Sequence, residues 1–251
     1  MTRKSHMALP LGNTLTKLLG ATLATAALAA PAQAAVINFE SGYATSVAAG
    51  DVYVESGYQL YFGDRDQVST GTAVGSVVDA TDTWACPNTS CPTNGDGLYY
   101  AATNSSFVWL SAENGSAFQI KSLDASFLGA GVTLSGFPIL SGYLRMQAFR
   151  ADSTYELIDL PLYGPESTGF EFANYALNEP WASMDFVEVA MFGFACNTAG
   201  SCSRLNTNEA QFAIDNIVLE EALAAVPEPG TVAIFGIGLM GLIAGARRRN
   251  V

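Results

Sequence analysis

The sequence predicts an all-β fold for its central part, most simply a single two-sheet β-sandwich of the jelly-roll type. Three observations predict it. Apolar or alternating runs are short, turn-forming residues separate them, and residues 35–219 show no sustained helical periodicity with capping residues. This stretch of about 185 residues is long enough to bury the core of one domain.

Each predicted strand is one of these runs, and the runs follow one another at short intervals. Asn94-Gly95, Asn114-Gly115 and Ser141-Gly142 are turn signals between them, because Gly and Asn accept backbone conformations that end a strand. In chain order, the main runs lie at 52–62, 106–111, 117–127, 143–150, 155–162, 184–194 and 211–219. The pattern therefore predicts roughly ten strands.

Residues 1–34 are predicted to be a signal peptide. Lys17 precedes an apolar run at 18–30, and the small residues that follow fit a signal peptidase site after Ala34. A start at Met7 would leave this prediction unchanged. The mature chain is therefore expected outside the cytoplasm, after cleavage by signal peptidase.

The C-terminal part has three successive segments after a linker at 220–226. Pro227-Glu228-Pro229 comes first, an apolar run at 231–246 follows, and Arg247-Arg248-Arg249 comes last. The run is slightly short for a resting transmembrane helix, and arginines directly behind it favour the cytoplasmic side. These segments predict transient anchoring in the inner membrane, with the body of the protein outside.

The segment at 227–249 closely resembles the PEP-CTERM sorting signal of Gram-negative, exopolysaccharide-producing bacteria. The resemblance rests on the Pro-Glu-Pro motif, the short apolar helix and the arginines, in that order. It implies recognition and processing by an exosortase, and delivery to the cell surface or the extracellular matrix. It implies a destination and no activity. The alternative is an ordinary C-terminal membrane anchor.

The charge of the mature ectodomain excludes several classes of partner. Residues 35–226 contain 22 acidic and five basic residues, a formal net charge of about −17. Such a surface repels DNA, RNA and anionic headgroups, so nucleic-acid binding is not expected. Divalent cations and neutral or cation-bridged polysaccharides fit this charge, although acidity also simply keeps a secreted protein soluble.

The composition of the mature chain also excludes the catalytic mechanisms that need a histidine. His6, the only histidine, lies in the predicted signal peptide, so the mature chain has no Ser-His or Cys-His system and no histidine metal ligand. Lys121 is its only lysine, and the alternating pattern around it predicts an exposed strand position.

The four cysteines are predicted to form two local disulfides, because an exported chain passes through an oxidising compartment. Cys86 and Cys91 enclose four residues, and Cys196 and Cys202 enclose five. Loops this short would each contribute at most roughly 2 kcal/mol by chain entropy, so they shape their loops more than they hold the fold. The spacing argues against a metal site, and the crossed pairing stays open.

The two ends of the ectodomain carry a second resemblance. The opening Val36-Ile37-Asn38-Phe39-Glu40-Ser41-Gly42 and the closing Gln211-Phe212-Ala213-Ile214-Asp215-Asn216-Ile217 resemble the frame of PEP-CTERM ectodomains, including the group named for a Gln-Phe-x-x-Asp motif. They are also similar to the bracketing strands of β-sandwich carbohydrate-binding modules. That similarity implies a structural Ca²⁺ held with the help of Glu40 and Asp215. The alternative is that Asp215 and Asn216 cap a strand.

A sugar-binding surface would need exposed aromatic rings. Trp84, Tyr99, Tyr100 and Trp181 are the candidates, because Tyr99 and Tyr100 must point to opposite faces of a strand and both tryptophans lie in turn-rich segments. Trp109, between Val108 and Leu110, is predicted to lie in the core.

The sequence therefore predicts an exported protein without enzymatic activity that binds polysaccharide or is a component of the exopolysaccharide matrix of a biofilm. One alternative is a purely structural or adhesive surface protein. Another is a glycoside hydrolase with two carboxylates drawn from Glu166, Glu171 and Glu179, or from Asp185 and Glu188. No spacing singles out such a pair.

Overall fold

Two antiparallel β-sheets packed face to face form the fold. The structure is a computed structural model, and it describes residues 34–42, 45–65, 70–82, 89–103, 105–131, 133–204 and 209–222. The prediction of an all-β, two-sheet sandwich is confirmed. The predicted signal peptide up to residue 33 and the sorting segment at 227–249 lie outside the described residues. Within the described ranges, no helix is long and apolar enough to span a membrane.

Fifteen strands and one short 3₁₀ helix at Trp181–Ser183 make up the described part of the chain. The strands are β1 (Ala35–Ile37), β2 (Thr45–Ala48), β3 (Val52–Glu55), β4 (Tyr58–Asp64), β5 (Ala73–Asp79), β6 (Thr89–Ser90), β7 (Leu98–Ala102), β8 (Ser106–Ala112), β9 (Phe118–Ala130), β10 (Leu140–Phe149), β11 (Tyr155–Tyr163), β12 (Ala173–Ala176), β13 (Glu188–Cys196), β14 (Cys202–Arg204) and β15 (Gln211–Glu221). Several are two to four residues long, which is why the sequence predicts fewer.

The strand order brings distant parts of the chain together. The eight-stranded sheet runs β12-β9-β15-β7-β5-β2, with β1 on β15 and β6 on β9. The seven-stranded sheet runs β11-β10-β13-β8-β4-β3, with β14 on β13. From β7 to β10 the chain changes sheet at every step, so sequence neighbours face each other across the core.

Side-chain alternation explains the core between the sheets. In β8, Val108 and Leu110 are completely buried, while Phe107 and Trp109 point to the opposite face. Tyr100 of β7 is also completely buried, and its ring centroid lies 4.4 Å from that of Phe62 in β4. Rings from both sheets therefore meet in the middle of the sandwich.

The last strand extends beyond the predicted end of the domain. β15 pairs with β9 as far as Glu221, although the sequence predicts a linker from residue 220. Lys121 explains the extension, because its ammonium lies 2.9 Å from a Glu220 carboxylate oxygen and also donates to the carbonyl of Ala182. Lys121 is accordingly half-buried rather than exposed.

One predicted disulfide lies wholly within the described residues. Cys196 at the end of β13 is bonded to Cys202 at the start of β14, as predicted. Cys91 is disulfide-bonded as well, while Cys86 lies outside the described ranges.

Candidate ligand-binding face

The outer face of the seven-stranded sheet carries an unusual number of aromatic side chains. Strand register places them on one side, because residues paired across neighbouring strands point to the same face. We call this surface the aromatic face. Its rings are Tyr61, Phe107, Trp109, Tyr143, Phe149, Tyr155, Tyr163, Phe192 and Phe194.

One row of this face crosses every long strand of the sheet. Leu157, Gln147, Ala190, Trp109, Tyr61 and Val52 occupy successive positions from β11 to β3. Six of the nine large apolar side chains exposed among the described residues belong to the face: Val52, Val54, Tyr61, Tyr155, Leu157 and Tyr163. They are therefore concentrated on one side of the sandwich.

The rings contact one another in the middle of the face. Trp109 and Phe149 are nearly parallel, with centroids 5.6 Å apart and an interplanar angle of 14°. Phe107 meets Trp109 edge to face at 6.5 Å, and Tyr155 lies 6.0 Å from Phe149. Ala190 is the small residue between them in the sheet, and it leaves a depression there.

That depression is a groove of about 480 Å³. Its floor and walls come from β8, β10 and β13, and Gln147 supplies an amide. The described lining residues include two arginines and no carboxylate. They are Arg65, Phe107, Trp109, Gln147, Phe149, Ala190, Phe192 and Arg204. Apolar walls with a few polar groups are typical of small-molecule and glycan sites.

A third arginine lies beside the groove. Arg145 forms a bidentate ion pair with Asp159, with both nitrogen–oxygen distances at 2.6 Å, and its guanidinium carbon lies 4.7 Å from the Phe194 ring centroid. The hydrogen bonds to Asp159 raise the pKa of Arg145. The ion pair with Asp159 holds the Arg145 guanidinium over the Phe194 ring and offsets the positive charge of Arg145.

The aromatic residues that the sequence predicts for sugar binding are not exposed where the structure describes them. Tyr99 and Tyr100 do point to opposite faces, but both are buried, so the expectation of an outward ring is wrong. Phe172 covers Tyr99 at 5.2 Å. Trp181 packs against Phe186 and is only 7% exposed. Trp84 lies outside the described residues.

Trp109 is the opposite case. It lies half-buried on the aromatic face and not in the core as predicted, because its neighbours Val108 and Leu110 occupy the inward positions of β8. A strand that is apolar at both its inward and its outward positions indicates an apolar outer face, and β8 is such a strand. Phe192-Gly193-Phe194 in β13 has the same character.

Asp215, one of the two predicted calcium residues, lies in β15 of the eight-stranded sheet, and Glu40, the other, follows β1 of the same sheet. Asp215 is 5% exposed, and its carboxylate accepts a hydrogen bond from the backbone N–H of Asn216 at 2.7 Å. Burial, together with the charges of Asp124, Asp96 and Glu40, raises the pKa of Asp215 to about 7, although the hydrogen bond from Asn216 lowers it. The charge of Glu40 therefore acts on Asp215, although each of the two carboxylates has hydrogen-bond partners of its own.

The neighbours of Asp215 hold these carboxylates with amides and backbone. Asn216 and Asn174 each donate a side-chain hydrogen bond to Asp124, at 2.9 and 2.7 Å. Glu40 accepts the backbone N–H of Leu98 at 2.8 Å. Among the described residues, no group of three or more His, Cys, Asp or Glu side chains is arranged to hold a metal ion. Calcium at Glu40 and Asp215 stays a prediction.

Comparison with known protein families identifies the C-terminal segment. The family model described as the PEP-CTERM protein-sorting motif matches residues 225–249. The chain carries a PEP-CTERM sorting motif. The match includes Pro227, Glu228 and Pro229 together with Arg247, Arg248 and Arg249. This motif indicates a secreted, exosortase-sorted surface protein, as predicted.

The ectodomain of this PEP-CTERM chain is similar to several solved carbohydrate-binding modules. The tandem CBM22-1-CBM22-2 domain of Paenibacillus barcinonensis Xyn10C is 9% identical with a TM-score of 0.34, and the match covers 82% of this chain and 49% of that chain, about half its length. The CBM22-1 xylan-binding domain of the same protein is 9% identical with a TM-score of 0.31, over 72% and 100% of the two chains.

A family 22 module of Clostridium thermocellum Xyn10B is 11% identical with a TM-score of 0.25, over 76% and 94% of the two chains. No curated protein matches the sequence significantly. At these identities and TM-scores, none of these chains decides what the sorted protein binds.

Proposed function

We propose that this protein binds polysaccharide without catalysis, at the cell surface or in the exopolysaccharide matrix, through its aromatic face. One observation carries the proposal. The exposed apolar side chains gather on a single outer sheet face, where Trp109 and Phe149 line a groove that also holds Gln147. Sugar rings have apolar faces that stack on aromatic rings and hydroxyls that bond to amides, so this lining suits them.

The absence of carboxylates from the described groove lining supports binding over hydrolysis, since a carboxylate-based glycosidase needs two acids beside the scissile bond. Glu188, at the start of β13, is on the aromatic face, where it is paired with Phe149 and Ser111. Asp185 accepts a hydrogen bond from Gln119 at 2.8 Å.

The test is binding of the full chain, in a non-ionic detergent, to the exopolysaccharide of the producing organism by calorimetry. We expect saturable binding that Trp109→Ala weakens at least about tenfold, because a central tryptophan contributes most of the energy in such contacts. Ile139→Ala is the control, since Ile139 is a strongly exposed apolar side chain that precedes β10 and does not line the groove. Equal loss in both variants, or no binding by the native chain, contradicts the proposal.

The second candidate is a structural or adhesive role without sugar affinity. Val52 and Val54, both exposed on the edge strand β3, favour contact with another protein surface. A chain that self-associates in sedimentation, loses this with Val54→Lys and binds no polysaccharide would support the second candidate instead.

A further inference from the structure

The longest edge strand of the two sheets is β11. Each sheet ends in two edge strands, and among the described strands β2, β3 and β12 have four residues each, whereas β11 has nine. An edge strand presents a row of N–H and C=O groups without a neighbouring strand, and natural proteins usually keep such edges short or charged. β11 is therefore long enough to pair with a further strand.

The hydrogen-bond pattern shows which backbone groups of β11 point outward. Arg150 donates its backbone N–H to the carbonyl of Thr154 at 2.9 Å, so these residues form a hydrogen-bonded pair at the turn between β10 and β11. Hydrogen-bonded and non-hydrogen-bonded pairs alternate along an antiparallel ladder, and the register is regular over this part of it. Every second residue from 155 to 161 therefore points its N–H and C=O away from β10.

Pro161 fits this alternation and limits the open stretch. It has no N–H, and its carbonyl accepts a hydrogen bond from the hydroxyl of Tyr175 in the other sheet. The outward backbone groups that remain belong to residues 155, 157 and 159. Tyr155 and Leu157 have exposed side chains there, on the aromatic face.

The charge of β11 is compensated by arginines. Arg150 lies 2.9 Å from Glu156, and Arg145 lies 2.6 Å from Asp159. These two arginines are among only five basic residues between positions 35 and 226, against 22 acidic ones. Two copies of so acidic a chain repel each other, and compensated carboxylates lower this repulsion where their β11 edges would meet.

We infer that two copies of this chain pair through β11, antiparallel and about a two-fold axis at Leu157. Leu157 then lies opposite Leu157 of the second copy, and Tyr155 lies opposite its Asp159. Each opposed pair exchanges two backbone hydrogen bonds, and the two leucine side chains contact each other. A second copy fits because this register is self-complementary, as a two-fold contact requires.

The pairing joins the aromatic faces of the two copies. The two-fold axis is perpendicular to the sheet, so both faces lie on the same side. The row of side chains that begins at Leu157 continues into the same row of the second copy. Two joined faces would bind one long polymer with avidity, although the pairing itself does not rest on the proposed function.

Disulfide trapping tests the pairing and its register. In Leu157→Cys the new thiols face each other, since opposed residues of a hydrogen-bonded pair have Cα atoms about 5.5 Å apart, within the reach of a disulfide. In Tyr155→Cys they lie about 13 Å apart along the strands. With the full chain in non-ionic detergent and a mild oxidant, we expect at least about fivefold more cross-linked dimer from Leu157→Cys than from Tyr155→Cys.

Sedimentation of three variants in the same detergent measures the association itself. Leu157→Pro removes an outward N–H and should weaken association at least about tenfold, while the sheet keeps its own hydrogen bonds, as it does at Pro161. Leu157→Lys puts like charges opposite each other and should have the same effect. Val54→Lys, on the other edge of the same sheet, is the matched control and should leave association unchanged. Circular dichroism checks that each variant is folded.

Three results would overturn the inference. They are a native chain that stays monomeric at about 100 μM, equal cross-linking at the two cysteine positions, and association that Val54→Lys abolishes while Leu157→Pro leaves it intact. The last result would assign self-association to β3 instead. None of them decides polysaccharide binding, which Trp109→Ala tests separately.

Discussion

Asp215 is a buried carboxylate with like charges around it. Its Oδ1 accepts the backbone N–H of Asn216, which has a left-handed backbone conformation at φ 48° and lies where the β15–β9 register shifts. The strand-capping interpretation of Asp215 and Asn216 thus agrees with the local hydrogen bond. Neutralisation by a proton or a cation would relieve the repulsion from Asp124, Asp96 and Glu40.

The raised pKa of Asp215 predicts a pH dependence of stability. The pKa is about 7 in the folded state and about 3.9 in an unfolded chain, so between these values the folded protein holds a proton that the unfolded chain has lost. The free energy of unfolding should therefore fall as pH rises from about 4 to about 7.

In EDTA we expect Asp215→Asn to remove about 1–2 kcal/mol of this fall, a figure reduced for partial solvent screening. Denaturant unfolding at several pH values measures it. Asp185→Asn, at an exposed carboxylate in another part of the fold, is the control. An unchanged slope in Asp215→Asn would show that this residue does not titrate as described.

Calcium gives a separate test at the same residue. If Glu40 and Asp215 hold Ca²⁺, millimolar calcium should raise the melting temperature of the native chain at pH 7, because an ion that binds only the folded state stabilises it. A Glu40→Gln and Asp215→Asn double variant should lose the rise. A calcium effect of equal size in the double variant would place any bound ion elsewhere.

At the level of strands, Gly63 and Gly142 both lie where an added Cβ would be too close to another atom, but the kind of neighbouring atom differs. A Cβ on Gly63 of β4 would come within 2.3 Å of the Phe107 ring, on the aromatic face. A Cβ on Gly142 of β10 would come within 2.1 Å of the backbone carbonyl oxygen of Phe194. A ring can swing aside, whereas a neighbouring strand cannot.

We therefore expect Gly142→Ala to lower the free energy of unfolding by about 1–3 kcal/mol, as overpacking does. Gly63→Ala should cost less stability but move the Phe107 ring into the groove and weaken polysaccharide binding several-fold. Chemical denaturation and calorimetry measure the two effects. The reverse pattern, with Gly63→Ala less stable and fully able to bind, would contradict this account of the face.

The strands themselves show how much the sequence can predict. Alternation and turn residues predict the sandwich, and oxidising export predicts the Cys196–Cys202 pair. The same patterns fail for Trp109, because an apolar residue between apolar neighbours could point either way. The groove itself depends on β4, β8, β10, β13 and β14 coming together, and only the tertiary register supplies that information.

The pairing of the two ends of the ectodomain is more predictable than the groove. β1 pairs with β15, and the motifs that carry the second resemblance lie in and next to these two strands. Asp124 and Asp96 could not be predicted, since they reach the cluster through β9 and the turn before β7. β15 continues to Glu221, into the segment that the sequence predicts as a linker, and the pairing of Lys121 with Glu220 is a contact between residues distant in sequence.

The whole molecule is strongly acidic, with a formal net charge of −12 at pH 7 and an isoelectric point near 4.3. Self-repulsion of this size opposes the compact state and is screened by salt. We expect the melting temperature at pH 8 to rise by roughly 2–4 °C when ionic strength increases from about 0.01 M to about 0.15 M. Near pH 4.3 the rise should disappear. A similar rise at both pH values would indicate a salt effect other than charge screening.

The Cys196–Cys202 disulfide makes the attachment of β14 to β13 depend on the redox state of the surroundings. β14 is only three residues long, and Arg204 stands at its end, two positions after Cys202. In the reducing cytoplasm the thiols stay apart, so nothing covalent keeps this short strand against β13. We therefore expect reduction of the Cys196–Cys202 bond to loosen β14 from β13 and to displace Arg204 from the groove that it lines. The disulfide thus couples the oxidation state of the surroundings to the shape of one wall of the groove.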